Sequence, residues 1–136
     1  MPRILALDPG VKRIGVAISD SGETLAFPRP ALSGDGEWLV ELRTLLEEEP
    51  CRQIIVGLPF SLNGGDSAST QFAREMWELI RLEFTELQVV QVDERLTTVS
   101  ASRQLSSAGK NQREQREVID SAAAVVLLQG WLDAKR

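Results

Sequence analysis

Apolar positions fall into short continuous runs in one half of the pattern and into helically spaced sets in the other. Residues 3–8 and 14–19 are nearly unbroken apolar runs, which predicts two central strands covered on both faces. Asp8-Pro9-Gly10 opens the turn between them, and Asp20 closes the second run. After Ser21-Gly22, Thr24 to Phe27 predicts a short third strand ended by Pro28 and Pro30. Three strands joined by tight turns describe an antiparallel meander rather than a nucleotide-binding βαβ unit. From Asp35 to Glu49 the period becomes helical, with Trp38, Leu39, Leu42, Leu45 and Leu46 on one stripe and Pro50 as the stop. Glu47-Glu48-Glu49 reads as a solvated face.

The second half alternates strands and helices. Gln53 to Leu58 predicts a buried strand closed by Gly57 and Pro59, and residues 61–67 a loop at its carboxyl end. Phe72, Met76, Ile80 and Phe84 recur every four residues, with Ala73 and Trp77 beside them, as the core stripe of a helix. Gln88 to Val92 predicts a further strand that runs into Asp93-Glu94-Arg95. Thr97-Thr98 can cap a helix to about Ala108, stopped by Gly109. Lys110 to Glu117 is expected as a mobile polar loop before a last helix from Val118 to Leu132, apolar almost all round. The order βββαβαβαα predicts an α/β fold, a mixed sheet with helices on both faces, in a single domain over residues 1–136.

Composition narrows the chemistry. A chain of 136 residues with 43% hydrophobic and 26% charged residues is ordinary for a soluble globular domain. No apolar run approaches a membrane span, and strand-like residues at once after the start leave no room for a signal peptide. The single Cys51 excludes an intramolecular disulfide and suits a reducing cytoplasm. With no histidine in the chain, Ser-His-Asp triads, His-zinc sites and imidazole catalysis are excluded, and Cys51 lacks its usual base. The net charge of −5 argues against a broad electrostatic footprint for nucleic acid, though not against a local basic site.

What remains is carboxylate chemistry. Aspartate is a poor strand former and costly to bury, so Asp8 at the end of an apolar run is either a turn opener or functional. Were the strands 3–8 and 88–92 neighbours, Asp8 and Glu94 would project from one sheet edge, where α/β sites form. Alternation puts Ile4, Ala6 and Asp8 on one face, Val90, Val92 and Glu94 on one face, and Asp93 in the opposite phase. Asp120 opens the last helix, either as a helix-dipole partner or as a third carboxylate; the small Ala123 and Ala124 would let that helix approach the sheet. Three crowded carboxylates repel unless a cation sits among them, and oxygen-only ligation suits Mg²⁺ or Mn²⁺. Such ions activate water and stabilise the leaving oxygen of a phosphodiester.

The motifs go further. Asp8-Pro9-Gly10-Val11-Lys12-Arg13-Ile14-Gly15-Val16-Ala17, Val56-Gly57-Leu58-Pro59 with Gly64, Asp93-Glu94-Arg95-Leu96-Thr97-Thr98 and Ile119-Asp120-Ser121-Ala122-Ala123 occur in this order. Together they resemble the signatures of the YqgF-like (RuvX-like) group, candidate pre-16S rRNA nucleases also described as candidate Holliday junction resolvases. The resemblance spans essentially the whole chain. It implies an RNase H-like fold with a five-stranded sheet in the order 3-2-1-4-5 and a bacterial, cytoplasmic protein. The function it implies is metal-dependent hydrolysis in 5′-end processing of pre-16S rRNA, with the small ribosomal subunit precursor as a partner. Asp8, Glu94 and Asp120 are then the catalytic, metal-binding acids. Lys12, Arg13 and Arg95 contact backbone phosphates, joined by Lys110, Arg113 and Arg116 as a clamp. Glu114 and Glu117 dilute that clamp relative to the family pattern.

Rival readings rank lower. An actin-like ATPase needs two such domains around a nucleotide, and Gly109-Lys110 is no P-loop, with Gln104 and Asn111 at its other key positions. A junction-cutting DNA resolvase shares the chemistry and would act as a homodimer, whereas an RNA processor works as monomer or homodimer. A non-catalytic RNA-binding or ribosome-assembly module ranks third.

Overall fold

The structure, a computed structural model, describes the backbone of residues 3–10, 13–34, 36–58, 68–93 and 112–134, with side chains at all of these except 68–70, 93 and 112–120. Five strands and three helices are seen among the described residues. In chain order they are β1 (Arg3–Asp8), β2 (Arg13–Ser19), β3 (Ala26–Ser33), α1 (Trp38–Glu48), β4 (Cys51–Leu58), α2 (Ala68–Glu83), β5 (Gln88–Asp93) and α3 (Gln112–Ala134). The predicted helix over 97–108 and loop over 61–67 lie outside the described residues.

The strands form one mixed sheet in the order β3-β2-β1-β4-β5, the order the family resemblance implies. β1 pairs antiparallel with β2 and parallel with β4; β4 pairs parallel with β5, and β2 antiparallel with β3. Each face of the sheet buries its own cluster. Leu5, Leu7, Ile14, Val16, Ile18, Ile54 and Val56 pack with Trp38 and Leu42 of α1 and Met76 and Ile80 of α2. On the other face Ile4, Ala6, Ala17 and Ile55 pack with Ala124, Leu127, Leu128 and Leu132 of α3. Burial on both sides is why β1 and β2 read as continuous apolar runs; each fully buried Leu or Ile contributes about 1.5–3 kcal/mol.

Two expectations are corrected. β3 does not stop at Pro28 and Pro30 but runs through both, to Ser33. Among the described residues it is an edge strand bonded to β2 alone, so alternate residues can lack an N–H without breaking the ladder. The second proline is absorbed by a bulge: Pro30 and Ala31 lie between the Val16–Arg29 and Ile14–Leu32 pairs, where β2 has only Gly15. The polar segment before the last helix is not a loop, since α3 already begins at Gln112 and includes Arg113 and Arg116. Residues 112–117 are all strong helix formers without Gly or Pro, and the propensity of such a run does not depend on an apolar stripe.

Other polar positions have structural roles. Asp20 Oδ1 accepts the Thr24 and Leu25 N–H groups at 2.7 and 2.9 Å, which fixes the β2–β3 turn. These bonds, Leu25 first, hold its carboxyl below the usual aspartate range. Glu49 is not simply solvated: Arg29 donates two bonds to it at 2.7 and 2.8 Å, and Arg3 a third at 3.3 Å. Cys51 is buried, and that burial, followed by the Glu49 charge, pushes its thiol up to about 12. A thiol so protonated is inert filler, as the missing histidine suggests.

Candidate active site at the carboxyl edge of the sheet

β1, β4 and β5 run parallel, so their carboxyl ends share one sheet edge. Asp8 is the last residue of β1 and is half-buried. Its phase follows from packing: Ile4 and Ala6 face α3, and alternation brings Asp8 to the same side. Across β2 it pairs with Gly15, and one step past the Leu7–Val56 pair it stands level with Gly57 of β4. Both positions flanking the carboxylate are therefore glycines. The strands 3–8 and 88–93 are not neighbours, because β4 lies between them, two strand spacings or about 10 Å across. Gly57 pairs with Val92, so β5 extends beyond the level of Asp8 and brings Asp93 to the same edge. Val90 and Val92 pack on the α3 side, the phase read from the sequence.

α3 crosses this face diagonally enough to touch β1, β2, β3 and β4. Its docking is set by side chains that no periodicity reveals. Ser121, fully buried, accepts the Val16 N–H through Oγ at 3.0 Å and donates to the Arg29 carbonyl at 2.7 Å. Val16 is the neighbour of Gly15, the residue paired with Asp8. The turn of α3 that contains Asp120 therefore stands beside the end of β1. Two turns on, Gln129 accepts the Ala26 N–H at 3.0 Å and donates to the Thr24 carbonyl at 3.0 Å. A lone serine beside an acid, just before the apolar run of α3, is the available signal for the first clip. Nothing local marks the second.

Of the acids singled out, the structure brings Asp8 and the backbone of Asp120 to one face of one edge. Glu94, Lys12, Arg95 and Lys110 lie outside the described residues, as do the side chains of Asp120, Arg113 and Arg116. Arg13, exposed, opens β2 opposite Ser33. No group of three acid or thiol ligands occurs among the described residues. Asp8 itself suits a hard cation: a half-buried carboxylate with no ion pair or side-chain hydrogen bond among the described residues. No helix among the described residues is long and apolar enough to cross a membrane.

The sequence is 43% identical over 136 residues to a Mycobacterium ulcerans protein named as a candidate pre-16S rRNA nuclease, covering 98% of this chain and 80% of the relative. A Corynebacterium jeikeium protein of the same name is 40% identical, covering 98% of this chain and 88% of the relative. Among solved structures, Thermus thermophilus RuvC in complex with a Holliday junction substrate superposes with a TM-score of 0.61 at 11% identity, over 99% of this chain and 96% of that one. Fowlpox virus resolvase with its junction DNA gives 0.62 at 12% identity, over 98% of both chains. At such identities the likeness establishes the RNase H-like fold. Residues 2–134 match the RuvX family, described as Holliday junction resolvase, and the chain belongs to that family.

Proposed function

We propose that residues 1–136 act as one RNase H-like nuclease domain that hydrolyses phosphodiester bonds in 5′-end processing of pre-16S rRNA. The observation that carries the reading is the placement of Asp8. It ends a buried central strand, faces α3, and stands beside the turn that bears Asp120. The names of the mycobacterial and corynebacterial relatives support the substrate.

In this reading Asp8, Glu94 and Asp120 hold Mg²⁺ or Mn²⁺, which when bound supplies a hydroxide nucleophile and neutralises charge on the leaving oxygen. The rest is the work of the chain. The rigid sheet edge fixes Asp8, since β1 is clamped between β2 and β4 and cannot shift without breaking both ladders. The turn of α3 that bears Asp120 stands on the same face of the sheet as Asp8. Lys12, Arg13 and Arg95 hold the phosphates that flank the scissile bond, and Lys110, Arg113 and Arg116 extend that contact. With α3 helical from Gln112, Arg113 and Arg116 are three residues apart and so lie close on one helix surface. The protein works in the cytoplasm, as monomer or homodimer, on the small ribosomal subunit precursor.

The family description favours a second reading, cleavage of four-way DNA junctions by a homodimer. A non-catalytic ribosome-assembly role is the third. Purified protein is to be incubated with pre-16S rRNA, single-stranded RNA and four-way junctions, with and without Mn²⁺, beside Asp8→Asn as the blank. Expected is cleavage of the precursor RNA that chelator abolishes and Asp8→Asn lowers by more than about 100-fold, since even outer partners of metal ligands cost 10–100-fold. Preferential junction cleavage would install the second reading. Equal activity of wild type and Asp8→Asn would remove the acid set altogether.

A further inference from the structure

The first α3 clip does more than hold a helix down. Ser121 is fully buried, and its hydroxyl bridges two strands at the bulge, taking the Val16 N–H and giving its proton to the Arg29 carbonyl. At that level β3 carries one residue more than β2, and Pro30 has no N–H to offer, so the ladder is locally open. The helix supplies the missing group. The bonds join three elements at one point: β2 beside Gly15, β3 at the bulge, and α3 one residue after Asp120. Gly15 is the cross-strand partner of Asp8. A hydrogen-bonded path from Asp8 to Asp120 therefore passes through this hydroxyl.

We propose that Ser121 is a positioning residue: its hydroxyl sets where the Asp120 turn of α3 stands relative to Asp8, and so the spacing of the two acids about their cation. The inference rests on the metal-binding reading above. The protein offers its own control. Gln129 ties the same helix, two turns away, to the start of β3 at Ala26 and to the preceding turn at Thr24, far along α3 from the acids. A structural tie alone would make the two residues equivalent. A positioning role makes only Ser121 matter to the ion.

The test is binding of Mn²⁺ alone, without nucleic acid, by titration calorimetry on wild type, Ser121→Ala, Gln129→Ala, Ser121→Thr and Asp8→Asn, with melting temperatures in chelator. Ser121→Ala and Gln129→Ala should both lower the melting temperature. Only Ser121→Ala should raise the Mn²⁺ dissociation constant, by at least about tenfold, and Ser121→Thr, which keeps the hydroxyl, should restore most of it. If Ser121→Ala fails to fold, Ser121→Cys takes its place, since a thiol donates and accepts only weakly. Wild-type affinity in Ser121→Ala, or equal losses in it and Gln129→Ala, overturns the positioning role while leaving the metal reading intact. Equal uptake by wild type and Asp8→Asn overturns the metal reading, and this inference with it.

Discussion

The same substitution should have opposite signs at two glycines. A Cβ added at Gly10 would come closer to the Arg13 carbonyl oxygen than the 3.0 Å that real Cβ atoms keep. The obstacle is backbone, so no rotamer change relieves it. Restoring ordinary separation, about 3.5 Å, requires the turn after Asp8 to open by more than roughly half an ångström. Overpacking of this kind costs about 1–3 kcal/mol, and a chain of this size loses about 4 °C of melting temperature per kcal/mol. Gly10→Ala should therefore melt about 4–12 °C lower. The displaced turn joins Asp8 to Arg13, and a 1 Å misplacement of reacting groups can cost on the order of 100-fold in rate. Cleavage of precursor RNA should accordingly fall on the order of tenfold or more. Gly130, in α3, has nothing within 4 Å of its added Cβ. There Gly130→Ala removes only the entropic penalty of a helical glycine, about 0.5–1 kcal/mol, and should raise the melting temperature by about 2–4 °C with unchanged activity. Thermal unfolding by circular dichroism with parallel cleavage assays reads both. Wild-type melting and activity in Gly10→Ala would refute the close-approach argument, and a destabilised Gly130→Ala would refute the packing at that end of α3.

Further expectations concern the ion pairs and the thiol. Arg29, and behind it Arg3, hold the Glu49 carboxyl below its ordinary value of 4.5. A depressed acid contributes stability above its unfolded pKa that is lost as pH falls through the folded one, so the protein should weaken from about pH 4.5 downward. Glu49→Gln should cost about 1–3 kcal/mol at neutral pH and flatten that acid limb; an unchanged limb would show that Glu49 does not carry it. Cys51, its thiol pushed up to about 12, should resist iodoacetamide at pH 8 in the native protein and react fully once unfolded. Rapid stoichiometric labelling of the native protein would contradict its burial.

The local signals carried far. Asp8 was legible because an acid at the end of an unbroken apolar run is anomalous in one strand taken alone. The phases of Ile4-Ala6-Asp8 and Val90-Val92 followed from the period of two, and the helix stripes from the period of 3.6. The family motifs named the strand order that the sheet shows. Where the local reading failed, the deciding forces were not local. Pro28 and Pro30 end a strand only if both its edges need donors, and whether β3 is an edge depends on which strands pair. Residues 112–117 lack an apolar stripe, so periodicity was silent although their helix propensity is high.

The amino-acid sequence by itself determined most of the described elements and the chemistry excluded by the missing histidine, because each depends on residue type and short-range spacing. Tertiary structure alone decided that Asp8 and the Asp120 turn of α3 share one face of one sheet edge. β4 intervenes between the strands of Asp8 and Asp93, glycines of two neighbouring strands flank Asp8, and Ser121 reaches 105 residues back to Val16. A hydrogen bond across such a separation leaves no periodic trace in the chain, since its partner is chosen by the packing of a whole helix on a whole sheet.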